Sequence, residues 1–218
     1  MLKLLSATPS PFARKVRVVL LEKNIPFELV TINPWNINAD IERYNPLGKI
    51  PVLITENGET IYDSKFITEW IELNYPDPAL FPTDPKARFK AQQLQVIADG
   101  ICDALILLFF ENMRPEPQQS KPWTERQIKK ISNGLQALEQ QISNEDFCIE
   151  NTFSIADISV VSVADYLSLR FKAYEWRKKF TRISEFVTRQ SARKSFIETM
   201  PTPQDIEKNT IYLRKNRL

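Results

Sequence analysis

Between Tyr75 and Pro85 lie four prolines in eleven residues: Pro76, Pro78, Pro82 and Pro85. Proline fixes φ and has no N–H to donate, so neither a helix interior nor a central strand runs through such a segment. It reads as a stiff, extended linker. Ahead of it strand and helix patterns alternate; after it the pattern is helical throughout. The expected organisation is a mixed α/β domain over residues 1–75, a linker over 76–85, an all-α domain over 86–200 and a tail over 201–218. The basic end of the tail, Arg214, Lys215 and Arg217, reads as a solvated terminus rather than a binding arm. A chain of 218 residues has room for two small domains.

The first part is read from its periodicity. Residues 3–6 suit a short strand. Ser10-Pro11 is a helix start, a hydroxyl N-cap with proline at the first helical position. Phe12, Val16, Val19 and Leu20 then recur at helical spacing as far as about Asn24. Residues 27–32 read as a second strand, which makes a βαβ unit with parallel pairing. Loop and short helix over 33–45 lead to a third strand at 51–55. Glu56-Asn57-Gly58-Glu59 predicts a type I′ hairpin turn, with the returning strand at 60–62. Asp63-Ser64 opens a helix with Phe66, Ile67, Trp70 and Ile71 on its apolar face. The order β-α-β, loop, β-β-α is that of thioredoxin.

The second part carries a stripe of Phe89, Gln93, Ile97, Ile101, Ala104 and Leu108 on one long helix, residues 86–113. Prolines at 115, 117 and 122 break it. A second long helix spans 123–142. Ser154-Ile155-Ala156-Asp157 is a capping box, with Phe153 and Ile158 spaced as a hydrophobic staple. The helix it opens runs to about Arg170, and two shorter helices are expected over 176–189 and 191–200.

Composition removes several classes of chemistry. There is no histidine, which rules out Ser-His-Asp and Cys-His catalysis and most zinc sites. Cys102 and Cys148 are far apart with no CxxC, against a disulfide framework or a thiol redox centre. The formal charge of +2 and the pI of 8.4 are too mild to argue for nucleic acid. No apolar run approaches the roughly 18 residues of a membrane span. The N-terminus lacks the pattern of a secretory signal, so a cytoplasmic protein is expected.

Asn45-Pro46-Leu47-Gly48-Lys49-Ile50-Pro51-Val52-Leu53 is a Pro-Gly loop running into an apolar strand. Base rates make Ile50–Pro51 trans, since about 5–6% of X-Pro bonds in folded proteins are cis. Three motifs in order, Ser10-Pro11-Phe12-Ala13-Arg14, this loop, and Asp63-Ser64, together with the Ser154–Asp157 box, resemble the cytosolic glutathione transferase family over residues 1–200. The likeness is strongest to small bacterial members with a Ser-Pro-Phe loop. It implies a thioredoxin-like glutathione-binding domain followed by an all-helical domain, and a cis bond at Ile50–Pro51.

The resemblance implies the following roles. Ser10 hydrogen-bonds and stabilises the glutathione thiolate, with Thr8 as the alternative donor; read alone, Ser10 is an ordinary N-cap. Lys49 pairs with the glycyl carboxylate, and Ile50, held by Pro51, offers backbone hydrogen bonds to the cysteinyl unit. Ser64 meets the γ-glutamyl carboxylate and Asp63 the γ-glutamyl ammonium; many relatives have Glu at this position. Thr8, Phe12, Trp35, Leu107, Phe110 and Met113 are the candidate contacts of an electrophile between the domains. Glutathione is the co-substrate and no metal is implied. The expected activity is conjugation of glutathione to small hydrophobic electrophiles by a cytoplasmic, detoxifying homodimer. The alternatives are a non-catalytic binding or regulatory protein on the same fold, or another glutathione-dependent activity such as a peroxidase, isomerase or dehalogenase. Serine where other members carry cysteine disfavours mixed-disulfide chemistry.

Overall fold

A computed structural model describes residues 1–36, 39–142, 145–149 and 152–204. The basic end of the tail lies outside the described residues. The chain divides into two compact units, one of Met1–Asp77 with the segment from Pro201, the other of Pro78–Met200.

The first unit runs β1 (Leu2–Ser6), α1 (Pro11–Glu22), β2 (Phe27–Thr31), a 3-10 turn (Ile41–Arg43), β3 (Val52–Ile54), β4 (Thr60–Ile61) and α2 (Ser64–Asn74). The sheet order is β2-β1-β3-β4. β1 and β2 are parallel, and the other pairs antiparallel. α1 starts where Ser10 caps it and Pro11 supplies the first φ. It buries Val16, Val19 and Leu20 completely. α1 lies on β1, α2 lies on β3, and the two helices touch. Their C-terminal ends are tied by Lys23, whose fully buried ammonium meets Glu72 Oε2 at 2.8 Å and donates to the Tyr75 carbonyl at 2.7 Å.

Two expectations for this unit need correction. Only Gly58 in the hairpin turn has positive φ, +83°, and Asn57 does not. Gly58 N–H donates to Thr55 O at 3.0 Å and Thr55 N–H to Glu59 O at 2.9 Å. The connection is therefore a three-residue loop closed by glycine, not a type I′ turn. On α2 the buried residues are Ser64, Ile67, Thr68, Ile71 and Glu72, while Phe66 is 56% exposed. Ile67 and Ile71 are buried as expected and Trp70 is half-buried, and Glu72, paired with Lys23, joins the buried face.

The second unit contains α3 (Pro85–Asn112), a 3-10 turn (Glu116–Gln118), α4 (Lys121–Gln141), α5 (Ile155–Arg170), α6 (Trp176–Lys179), α7 (Thr181–Gln190) and α8 (Lys194–Glu198). α5 is buried on every side from Ile155 to Leu167. It packs on α3 and α7, and α3 packs on α4. Gly134 on α4 sits against Ile101, where a Cβ would stand 2.5 Å from Ile101 Cγ1. The capping box closes as expected. Asp157 accepts from the backbone N–H of Ser154 at 2.7 Å and from its hydroxyl at 2.8 Å, and also from Cys148 N–H at 2.7 Å.

Three further expectations give way. Of the stripe expected on α3, Ile101, Ala104 and Leu108 are buried, but Gln93 is exposed and Phe89 is 69% exposed; Ala91, Leu94, Gln95, Ala98, Cys102 and Leu105 are buried as well, since α3 packs on both α4 and α5. The helix expected over 176–189 is interrupted at Phe180, where φ −122° and ψ +80° end α6. An 18-residue window of α3 does have the length and apolarity of a membrane span, with mean hydropathy 1.7. That helix packs on α4 and α5, with 44% of the window buried.

Candidate functional site

Strand register brings the three sequence motifs to one end of the sheet. β1 and β2 end side by side, with Ser6 opposite Thr31. β3 begins beside the end of β1, with Leu5 opposite Val52. β4 ends beside the start of β3, with Leu53 opposite Ile61. Thr8 and Ser10, Trp35, Lys49 to Pro51, and Asp63-Ser64 all follow or precede these strand ends by a few residues.

Ser10 is half-buried. Its Oγ accepts from Ala13 N–H at 3.2 Å, and its own N–H donates to Ala7 O at 3.0 Å. The hydroxyl proton makes no bond among the described residues. It stands at the positive end of a 12-residue helix. The first turns of that helix carry Arg14 and Lys15, both buried, and Arg17. Burial first, and Arg14 second, push the Arg17 guanidinium below its ordinary pKa. Thr8 is also half-buried, and Phe12 lies under Lys15 Nζ at 6.0 Å from the ring centroid.

The Asn45–Pro51 loop is held from within. Asn45 is 2% exposed. Its Oδ1 accepts from Leu47 N–H at 3.0 Å and its Nδ2 donates to Lys49 O at 2.9 Å. Gly48 supports the turn with φ +60°, and a Cβ there would meet Glu42 Oε1 at 3.1 Å. The Lys49 side chain is exposed. Ile50–Pro51 is cis. The Ile50 N–H and C=O make no hydrogen bond among the described residues.

Asp63 follows a second cis bond, Tyr62–Asp63, and caps α2 through Oδ1, which accepts from Lys65 N–H at 3.1 Å and Phe66 N–H at 3.4 Å. Ser64, 4% exposed, is the first residue of α2. Trp35 is half-buried and its N–H donates to Asn33 Oδ1 at 3.1 Å. Leu107, Phe110 and Met113 belong to the second unit, in the last turns and C-cap of α3. There Phe110 packs edge-on to Phe109 with centroids 5.2 Å apart.

Asn45, which braces this loop from within, is absent from the expected site residues. Its signal was present: Asn ahead of Pro-x-Gly is the start of an Asx turn. Gln204, which donates to Ile32 O at 3.1 Å just beyond β2, carries no local signal. Among the described residues no three His, Cys, Asp or Glu side chains gather as a metal site.

Known proteins resemble both parts of the chain. Residues 9–73 match the family model "Glutathione S-transferase, N-terminal domain" and residues 121–189 match "Glutathione S-transferase, C-terminal domain". The chain is 36% identical over 200 residues to the uncharacterised GST-like protein YibF of Escherichia coli K12, covering 92% of this chain and 98% of that one. It superposes on a glutathione S-transferase of Methylobacterium radiotolerans, solved in complex with glutathione sulfonate, with a TM-score of 0.92 and 43% identity over 94% of this chain and 97% of the other. A glutathione S-transferase of Methylobacillus flagellatus, solved with glutathione bound, gives 0.89 and 35% over 93% and 100%.

Proposed function

The chain belongs to the glutathione S-transferase family, and from that premise we propose that it binds glutathione across the β1–β3–β4 sheet end, holds its thiolate at Ser10 and conjugates it to a small apolar electrophile. The observation that carries the reading is the meeting of Ser10, Ile50 and Ser64 at neighbouring strand ends. Two strand spacings of about 4.8 Å separate the outer two elements, close to the roughly 10 Å that an extended tripeptide spans. In that pose the thiol lies at the α1 N-terminus and the cysteinyl backbone lies along Ile50. The γ-glutamyl carboxylate meets the α2 N-terminus. Asp63 Oδ2, which does not cap, faces the γ-glutamyl ammonium, and Lys49 takes the glycyl carboxylate.

A free thiol of pKa about 8.5 is ionised only to a few per cent at pH 7, yet the thiolate is the nucleophile. A hydrogen bond to a charged partner is worth about 1.5–3 kcal/mol, and one pKa unit is about 1.36 kcal/mol. The Ser10 O–H therefore lowers the bound thiol by roughly one to two units, with the helix field adding to it. No general base is required, which suits a chain without histidine. Conjugation then follows from holding thiolate and electrophile together. Thr8, Phe12 and Trp35 in the first unit and Leu107, Phe110 and Met113 in the second are the side chains we assign to the electrophile. A cytoplasmic setting, a detoxifying role and a homodimer belong to the same proposal. Phe89 and Val96, exposed along α3, supply apolar surface for the second copy.

Titration calorimetry with glutathione, wild type beside Ser10→Ala, and a thiolate absorbance titration test this. Binding with the thiol a unit or more below its free value, reversed in Ser10→Ala, supports it. No binding at millimolar glutathione overturns it. Binding without turnover of any electrophile, peroxide or isomerisable substrate turns the reading to a binding module on the same fold.

A further inference from the structure

The loop ahead of β3 presents an unpaired backbone edge at Ile50, and one buried side chain decides where that edge points. We propose that Asn45 is a positioning residue for glutathione: by holding the Lys49 carbonyl inward it aims the Ile50 N–H at the ligand. This rests on the glutathione-binding reading above.

The argument is geometric. Lys49 C=O and Ile50 N–H belong to one peptide group, which is planar and rigid. That bond is trans, since the cis bonds are Ile50–Pro51 and Tyr62–Asp63, so its C=O and N–H point in opposite directions. Asn45 Nδ2 takes the Lys49 carbonyl at 2.9 Å. With the carbonyl fixed toward the protein, the N–H is fixed away from it, and no group among the described residues receives it. Rotation of this peptide would bring the N–H inward and present a carbonyl instead, the wrong group for an acceptor on the ligand.

The side chain required is specific. Asn45 is 2% exposed, so each of its polar atoms needs a partner, and both are spent on this loop. Oδ1 accepts from Leu47 N–H at 3.0 Å while Nδ2 donates to Lys49 O. The Asn45 backbone joins in, accepting from Gly48 N–H at 2.8 Å and donating to Ile41 O at 2.9 Å. Aspartate has the same shape and keeps the bond from Leu47. It has no donor, so it sets a carboxylate oxygen against the Lys49 carbonyl. Serine is too short to reach Lys49 and can satisfy only the Leu47 N–H. The surrounding loop offers no substitute, because Pro46, Leu47 and Lys49 are exposed.

The test uses the full chain and three readouts on wild type, Asn45→Asp, Asn45→Ser and Ser10→Ala. Calorimetry with S-methylglutathione, which has no ionisable thiol, is expected to show at least tenfold weaker binding in both Asn45 variants. Ser10→Ala is expected to stay within about threefold of wild type. Thiolate absorbance at saturating glutathione is expected to give the wild-type thiol pKa in the Asn45 variants, which a general collapse of the site would not do. Amide exchange by NMR is expected to show the ligand protecting Ile50 N–H in wild type only, with Val52 and Leu53 in β3 protected in every variant. Wild-type affinity in Asn45→Asp overturns the proposal and leaves the glutathione reading standing. Loss of Val52 and Leu53 protection in both Asn45 variants also overturns it, since Asn45 would then hold the fold rather than the ligand edge. Absence of binding in wild type overturns both.

Discussion

Replacing Asp157 tests how the helical unit is held together. The carboxylate is fully buried and accepts three hydrogen bonds, from Cys148 N–H, Ser154 N–H and the Ser154 hydroxyl, all at 2.7–2.8 Å. In Asp157→Ala the hydroxyl can turn elsewhere, but two backbone N–H groups lose their acceptor. Each such orphan costs about 1–3 kcal/mol, giving roughly 2–6. The substitution also removes the penalty of burying a charge, so a net loss of about 2–4 kcal/mol is expected. Asp157→Asn keeps one acceptor and is expected to lose about half as much. Urea unfolding followed by circular dichroism measures both, and an Ala variant within about 0.5 kcal/mol of wild type would refute the reasoning. The pH dependence has a definite sign. Burial pushes the Asp157 carboxyl up, and its hydrogen-bond donors only partly pull it back. Between the unfolded value of about 4 and the higher native value, the native state keeps a proton that the unfolded state has lost. Stability from this group therefore falls as pH rises through that window and is level above it. The amide introduced by Asp157→Asn does not titrate, so the advantage of wild type over that variant should be largest near pH 4 and shrink towards pH 7. An advantage that grows with pH contradicts the assignment.

Lys23→Met removes the cation from a buried pair and the donor from the Tyr75 carbonyl; a loss of about 3–5 kcal/mol is expected by urea unfolding. The double variant Lys23→Met with Glu72→Met should recover part of it, and a double variant no better than the single would count against a buried pair. Gly134→Ala places a Cβ 2.5 Å from Ile101 Cγ1. Overpacking of this kind costs about 1–3 kcal/mol, against a gain of up to about 1 from helix propensity. Calorimetric Tm should therefore fall, and Ile101→Ala in the same chain should make Gly134→Ala neutral or stabilising.

Signals confined to a few neighbouring residues were legible in the sequence. Ser10-Pro11 opens α1, Ser154 to Asp157 closes its box, and the proline run contains the division between units because proline removes donors wherever it stands. The succession β-α-β, loop, β-β-α along the first unit followed from these and from short apolar runs between turn residues. The candidate site was legible only through the order of its motifs, since Ser10, Asp63 and Ser64 each cap helices just as residues without any function do. What escaped depends on a third dimension. The buried face of α3 is set by α4 and α5 at once, so a single stripe finds Ile101, Ala104 and Leu108 but misses its N-terminal half, where Phe89 is exposed. The burial of Glu72 on α2 depends on Lys23, 49 residues away in the chain. Asn57-Gly58 promised a two-residue turn, but the bond from Thr55 N–H to Glu59 O takes one residue more. Asn45 was seen as part of a motif, yet its partner atoms belong to the backbone, which a sequence does not display.

The bond between Gln204 and Ile32 sets an order in time. Every strand of the sheet, with Ser10, Ile50 and Ser64 at its end, is made before Asp77, whereas Gln204 leaves the ribosome roughly 130 residues later. At about 5–20 residues per second that interval is on the order of 6–25 s. During it the Ile32 carbonyl has only water or a chaperone to satisfy it. A nascent chain paused within the helical unit already contains every candidate site residue of the first unit, but not yet the Gln204 amide that meets Ile32.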